Sequence, residues 1–74
     1  MTATELVAVL TEARLKQRLG RPRLSTRLGC ARHTLLRWEF RRCSPPLDAV
    51  VAWAAALGYQ VALIPADQPN QEAP

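Results

Sequence analysis

The chain is poor in the residues that build metal and catalytic centres. Its 74 residues include one histidine, His33, and two cysteines, Cys30 and Cys43. The cysteines form no Cys-x-x-Cys pair, and one histidine adds too little to complete a structural zinc site. Both read as reduced thiols of a cytosolic protein rather than as a disulfide or a metal site, with Cys30 a small buried apolar residue. No nucleophile–base pairing, phosphate loop or group of carboxylates is present, so neither an enzyme nor a cofactor is expected. No stretch approaches the roughly 20 apolar residues of a membrane span. The first residues lack the basic start and apolar run of a secretory signal. There is no internal repeat. What remains is one small domain with a modest core, expected in the cytoplasm.

Acids are scarce where cations are dense. The net charge of +4 hides an asymmetry: residues 14–42 hold all nine arginines and the only lysine, Lys16, against a single acid, Glu39. That is +9 over 29 residues. Positive charge this concentrated predicts a polyanionic partner; a solvated basic surface is the plainer alternative. Arginine over lysine favours planar, bidentate recognition of phosphate or guanine. It also fits a GC-rich genome, since alanine and proline are abundant too.

Hydrophobic spacing predicts four helices. The first spans 3–18, with Thr2 and Glu5 at capping-box spacing and Met1 and Leu6 placed for a hydrophobic staple. Its inward residues are expected to be Leu6, Val9, Leu10 and Ala13. The second spans 21–28, with Pro22 in its first turn, Leu24 and Leu28 inward and Gly29 closing it. The third spans 32–40, with Leu35 and Trp38 as its core pair. The fourth spans 46–57, with Ser44 as its cap, Pro45 in its first turn, and Leu47, Val50, Val51, Ala54 and Leu57 inward. Gly58 ends it. Trp38 and Trp53 are read as core, with a dimer interface as the other place for Trp53.

Residues 59–64, YQVALI, are rich in β-branched and aromatic types and stop at Pro65, as a strand does. No second strand is available in the chain to pair with it. The economical partner is the same segment of another copy, through Tyr59, Val61, Leu63 and Ile64. Residues 65–74 are polar and proline-rich and are expected to be disordered.

The run LSTRLGCARHTLLRWE, 24–39, is two short helices about a glycine pivot, the second of them basic. That is the pattern of a helix-turn-helix, whose second helix fits a DNA major groove. Residues 14–65 resemble the Cro and lambda-repressor superfamily. Arg14, Leu24, Leu28-Gly29, Leu35, Arg37-Trp38-Glu39, Ser44-Pro45 and Ala56-Leu57-Gly58 carry the likeness. The ending LGYQVALIP is similar to members whose terminal strand is shared across a dimer, some antitoxins among them.

The resemblance implies a mainly α fold, a four-helix lambda-repressor-like domain over 1–64 with a C-terminal β-strand pairing across a dimer. It implies base contacts from Arg32, His33, Leu36 and Arg37 to double-stranded DNA. It implies phosphate contacts from Arg21, Arg23, Thr34, Arg41 and Arg42, and a structural salt bridge between Arg14 and Glu39. The expected role is a homodimeric transcriptional regulator, a repressor in the first instance. The alternative is an antitoxin or other interaction module that neutralises a partner protein and represses its own operon. The chain departs from the pattern at three places. Ala31 replaces the usual capping Ser or Thr. Arg41 replaces a glycine, which predicts another route after the third helix. Phe40 replaces a polar residue and reads as an extra core contact or part of a partner surface.

Overall fold

The computed structural model describes residues 1–66. It contains four helices: α1 (Ala3–Lys16), α2 (Arg21–Leu28), α3 (Arg32–Glu39) and α4 (Leu47–Ala56). Thr2 and Glu5 form the expected reciprocal cap of α1. The Thr2 hydroxyl accepts from the Glu5 N–H at 3.1 Å, and the Thr2 N–H donates to Glu5 Oε1 at 2.7 Å. That backbone donation holds the Glu5 carboxyl below its ordinary range. The staple is not made, because Met1 is exposed. The other three helices start without a side-chain cap, from Gly20, Ala31 and Pro46.

Each helix closes in the same way, with one residue in the left-handed region. These are Arg18 (φ 55°), Gly29 (φ 70°), Arg41 (φ 59°) and Gly58 (φ 88°). After α3 the Arg41 N–H donates to the Trp38 carbonyl and the Arg42 N–H to the Arg37 carbonyl, at 3.0 and 2.8 Å. After α1 the Arg18 and Leu19 N–H groups do the same to Leu15 and Arg14. Both pairs satisfy carbonyls that a helix end leaves free. The different route expected at Arg41 is therefore corrected: arginine adopts the conformation a glycine would, at a cost of roughly 1–2 kcal/mol.

The core is Val7, Leu10 and Ala13 of α1, Leu19, Leu24 of α2, Leu35 and Trp38 of α3, and Val50, Trp53, Ala54 and Leu57 from α4 and its end. Helix α2 packs on both α3 and α4, and α1 packs on α3. The Trp38 and Trp53 rings lie 6.3 Å apart at 31°. The Gln17 side-chain amide donates to the Leu57 carbonyl at 2.9 Å, tying the end of α1 to the end of α4.

Several expectations need correction. Val7 rather than Val9 enters the core; Val9 is exposed and Leu6 half-buried. Leu47 and Val51 of α4 face outward, while Trp53 is in the core as expected. Ser44 does not cap α4. A residue before proline is driven to extended backbone, so Pro45, which precedes Pro46, cannot enter a first helical turn. The helix therefore starts after Pro46. α1 ends two residues earlier than expected, because Arg18 turns left-handed to close it.

The described fold is mainly helical, with no strand among the described residues. Residues 59–66 carry no regular structure in the single chain, and Tyr59, Val61, Leu63 and Ile64 are exposed. Of the segment expected to be disordered, residues 67–74 lie outside the described residues. No helix among the described residues is long and apolar enough to cross a membrane.

Candidate nucleic-acid interface

Helix α3 has two unlike sides. Leu35 and Trp38 are buried, and the residues between them turn outward. Arg32, His33 and Arg37 are exposed and Leu36 is half-buried. His33, Leu36 and Arg37 line a shallow depression together with Phe40 and Arg42. Arg32, His33 and Leu36 line a second one, shared with Arg14, Arg21 and Pro22 of the neighbouring helices. Five of the nine residues expected at DNA, Arg21, Arg32, His33, Leu36 and Arg37, thus meet on one continuous surface, with Arg42 at its edge.

The remaining three sit apart. Arg23 borders a separate depression with Pro22, Thr26 and Arg27. Thr34 is half-buried on α3, and Arg41 borders a groove between the start of α1 and the α3–α4 connection. Of the two places expected for Phe40, core or partner surface, it takes an exposed one. It is 60% exposed and belongs to the outward face, not to the core. Its signal was present: 33, 36, 37 and 40 follow the i, i+3, i+4, i+7 spacing of one helical side.

The face is held in place by a buried ionic clamp. Arg14 Nε donates to Glu39 Oε2 at 2.7 Å, and Arg14 Nη2 donates to Oε1 at 3.0 Å. Arg14 Nη1 also donates to the Leu19 carbonyl at 3.0 Å, securing the α1–α2 turn. The expected pair therefore exists as a bidentate bond between two side chains that are 7% and 2% exposed. Glu39 has a second partner that the sequence did not reveal: Arg21 Nε donates to its Oε1 at 2.7 Å. The Arg21 guanidinium also lies 5.5 Å from the centre of the Phe40 ring, a cation–π arrangement. One carboxylate thus joins α1, α2 and α3. Arg21, with its side chain 31% exposed, is fixed in orientation at the border of the outward face.

With Arg14 and Arg21 assigned to Glu39, seven arginines remain exposed: Arg18, Arg23, Arg27, Arg32, Arg37, Arg41 and Arg42. Lys16 lies 3.9 Å from Glu12 on the surface, a pairing of little energetic weight. Burial pushes the Cys30 thiol above its ordinary range, which makes it a poor nucleophile. No group of three or more metal-ligating side chains occurs among the described residues. Comparison of the chain with protein-family models, with curated proteins and with solved structures finds no match.

Proposed function

We propose that the chain is a sequence-specific DNA-binding transcriptional regulator, a repressor in the simplest case, acting as a homodimer on a palindromic site. One observation carries the reading: the outward side of α3 presents Arg32, His33, Leu36 and Arg37 while Leu35 and Trp38 anchor it from behind. An α-helix fits the major groove, where each base pair offers a distinct pattern of donors and acceptors. Arg37 or Arg32 supplies a bidentate contact to guanine N7 and O6. His33 meets a base edge, and Leu36 a thymine methyl. Arg21, Arg23, Thr34, Arg41 and Arg42 hold phosphates and set the register. Pairing of residues 59–64 between two copies relates the two α3 helices by a two-fold axis. The half-sites then lie about 10–10.5 base pairs apart, or a multiple of that.

Selection of bound sites from random duplex DNA, followed by titration at several salt concentrations, tests this. A single enriched palindrome is expected. Arg37→Ala should weaken binding to it by roughly 1–3 kcal/mol and relax the preference at one base pair. Equal weakening on every sequence would demote Arg37 to a phosphate contact. Val61→Pro should disrupt the strand pairing, since proline offers no ladder N–H, and should weaken operator binding with it. A Val61→Pro protein that remains a tight dimer would remove 59–64 from the interface.

The exposed apolar segment 59–64, with exposed Phe40, also favours a second reading: an antitoxin or other module that captures a partner protein. The two roles are compatible in one chain. A toxin gene beside this one supports it. Tight dimers with no DNA affinity at low salt would leave interaction as the sole function.

A further inference from the structure

Charge is unevenly spread along this chain. The cations crowd into 14–42, whereas residues 49–66 contain no Asp, Glu, Lys, Arg or His at all. That stretch is bordered by exposed Asp48 and met at the Ala56 carbonyl by the Arg27 guanidinium, and large apolar side chains on it and beside it are exposed. On α4, Leu47 is 73% exposed and Val51 is also exposed. They stand one turn apart on one flank, continued by exposed Ala55 at the next turn. The flank runs towards Gly58 and the exposed residues Tyr59, Val61, Leu63 (101%) and Ile64. The opposite flank, Ala49 and Ala56, is packed against the core.

A pair of six-residue strands does not hold by itself. A two-stranded ribbon in water is marginal unless it packs on a helix or on more strands. Alternation along 59–64 puts Tyr59, Val61 and Leu63 on one side of such a ribbon, and that side needs an apolar floor. The α4 flank matches it in length. Its ten residues span about 15 Å, and six extended residues span about 20 Å. In the single chain the two surfaces do not cover each other, since Leu47 and Leu63 both stay exposed.

We infer that the α4 flank formed by Leu47, Val51 and Ala55 is an interaction surface for a second copy of this chain, receiving the Tyr59, Val61 and Leu63 side of the partner's 59–64 segment. Charge argues for self-association here rather than elsewhere. Two copies approaching through the arginine-bearing outward side of α3 repel, whereas the 49–66 stretch brings no charge of its own to a contact. The interface is then helix plus strand on each side, closer to the roughly 800 Å² per partner of a stable complex than strands alone provide. This inference rests on the homodimer reading above and supplies the part of the interface which that reading lacks.

Sedimentation equilibrium of the full chain tests it. Leu47→Glu with Val51→Glu is expected to raise the dimer dissociation constant at least about tenfold with an unchanged helical circular dichroism spectrum. If helicity is lost, Leu47→Ser with Val51→Ser takes its place under the same criterion. A dimer as tight as the parent overturns the α4 inference and leaves the homodimer reading standing. A parent chain that is monomeric at every concentration overturns both. Disulfide trapping then identifies the occupant, using Val51→Cys with Leu63→Cys in a chain also carrying Cys30→Ala and Cys43→Ser. A cross-link between two chains is expected. A cross-link confined within one chain would assign the flank to the chain's own segment and overturn the inference.

Discussion

Glu39→Ala is expected to abolish the folded domain, or bring it to the edge of unfolding, although Glu39 contributes no side chain to the exposed face of α3. Removing one partner of a buried ion pair leaves the other charge in a dry site and costs about 3–5 kcal/mol. Here the abandoned charge is Arg14, 6% exposed and able to keep only its bond to the Leu19 carbonyl. A folded chain of this length carries roughly 4–11 kcal/mol in all, at 0.05–0.15 kcal/mol per residue. Urea unfolding followed by the fluorescence of Trp38 and Trp53 measures the loss. Glu39→Gln should be nearly as costly, because an amide nitrogen would point a donor at guanidinium donors. Arg14→Met with Glu39→Leu should recover much of the deficit, since apolar residues of similar volume often replace a buried pair without loss. A loss below about 1 kcal/mol in Glu39→Ala would mean that water reaches the clamp and that the pair behaves as a surface salt bridge.

The double variant also separates stability from function. It restores packing but releases Arg21, whose Nε then has no carboxylate to hold it. A guanidinium fixed by Glu39 and stacked on Phe40 loses little freedom when it meets a phosphate, whereas a released one loses more. Under the DNA-binding reading, Arg14→Met with Glu39→Leu should fold and yet bind DNA more weakly than the parent.

Residues with one clear preference were legible in the sequence, and residues with several were not. Leu24, Leu35 and Trp38 are apolar positions in largely polar helices, so periodicity points them inward. Gly29 and Gly58 are left-handed where a helix must close. In contrast, α1 reads LVAVL over 6–10 and α4 reads VVAWAAAL over 50–57, apolar on every side. Periodicity cannot choose a face there, and packing decided: Trp53 fills the core, Leu47 and Val51 stay outside, and Val7 displaces Val9. The Arg21–Glu39 bond was invisible for another reason. It joins the start of α2 to the end of α3, and its existence depends on how those helices cross. Arg18 and Arg41 show the limit of the glycine rule: backbone hydrogen bonds at a helix end can hold a left-handed arginine in place.

Trp53→Ala is the second change expected to collapse the domain, and comparison with Trp53→Phe explains why. Trp53 is fully buried, in one core with Leu24, Leu35 and Trp38. Truncating a buried aromatic to alanine costs about 3–5 kcal/mol, part of it lost transfer energy and part the cavity left behind. In a core of so few large side chains, the neighbours cannot fill that space without moving α4 away from α2. Trp53→Phe keeps a ring of nearly the same reach and removes an N–H that has no hydrogen-bond partner among the described residues. A buried unpaired donor is itself a burden of about 1–3 kcal/mol, so its removal offsets much of the lost volume. Trp53→Phe should therefore lie within about 1 kcal/mol of the parent in urea unfolding, while Trp53→Ala lies several kcal/mol below it. A phenylalanine variant as unstable as the alanine one would mean that the indole N–H is satisfied in solution, with a buried water as the natural partner. If the expected order holds, Trp53 acts through volume alone: it braces α4 against α2, and through Trp38 it steadies the helix that presents Arg32, His33 and Arg37.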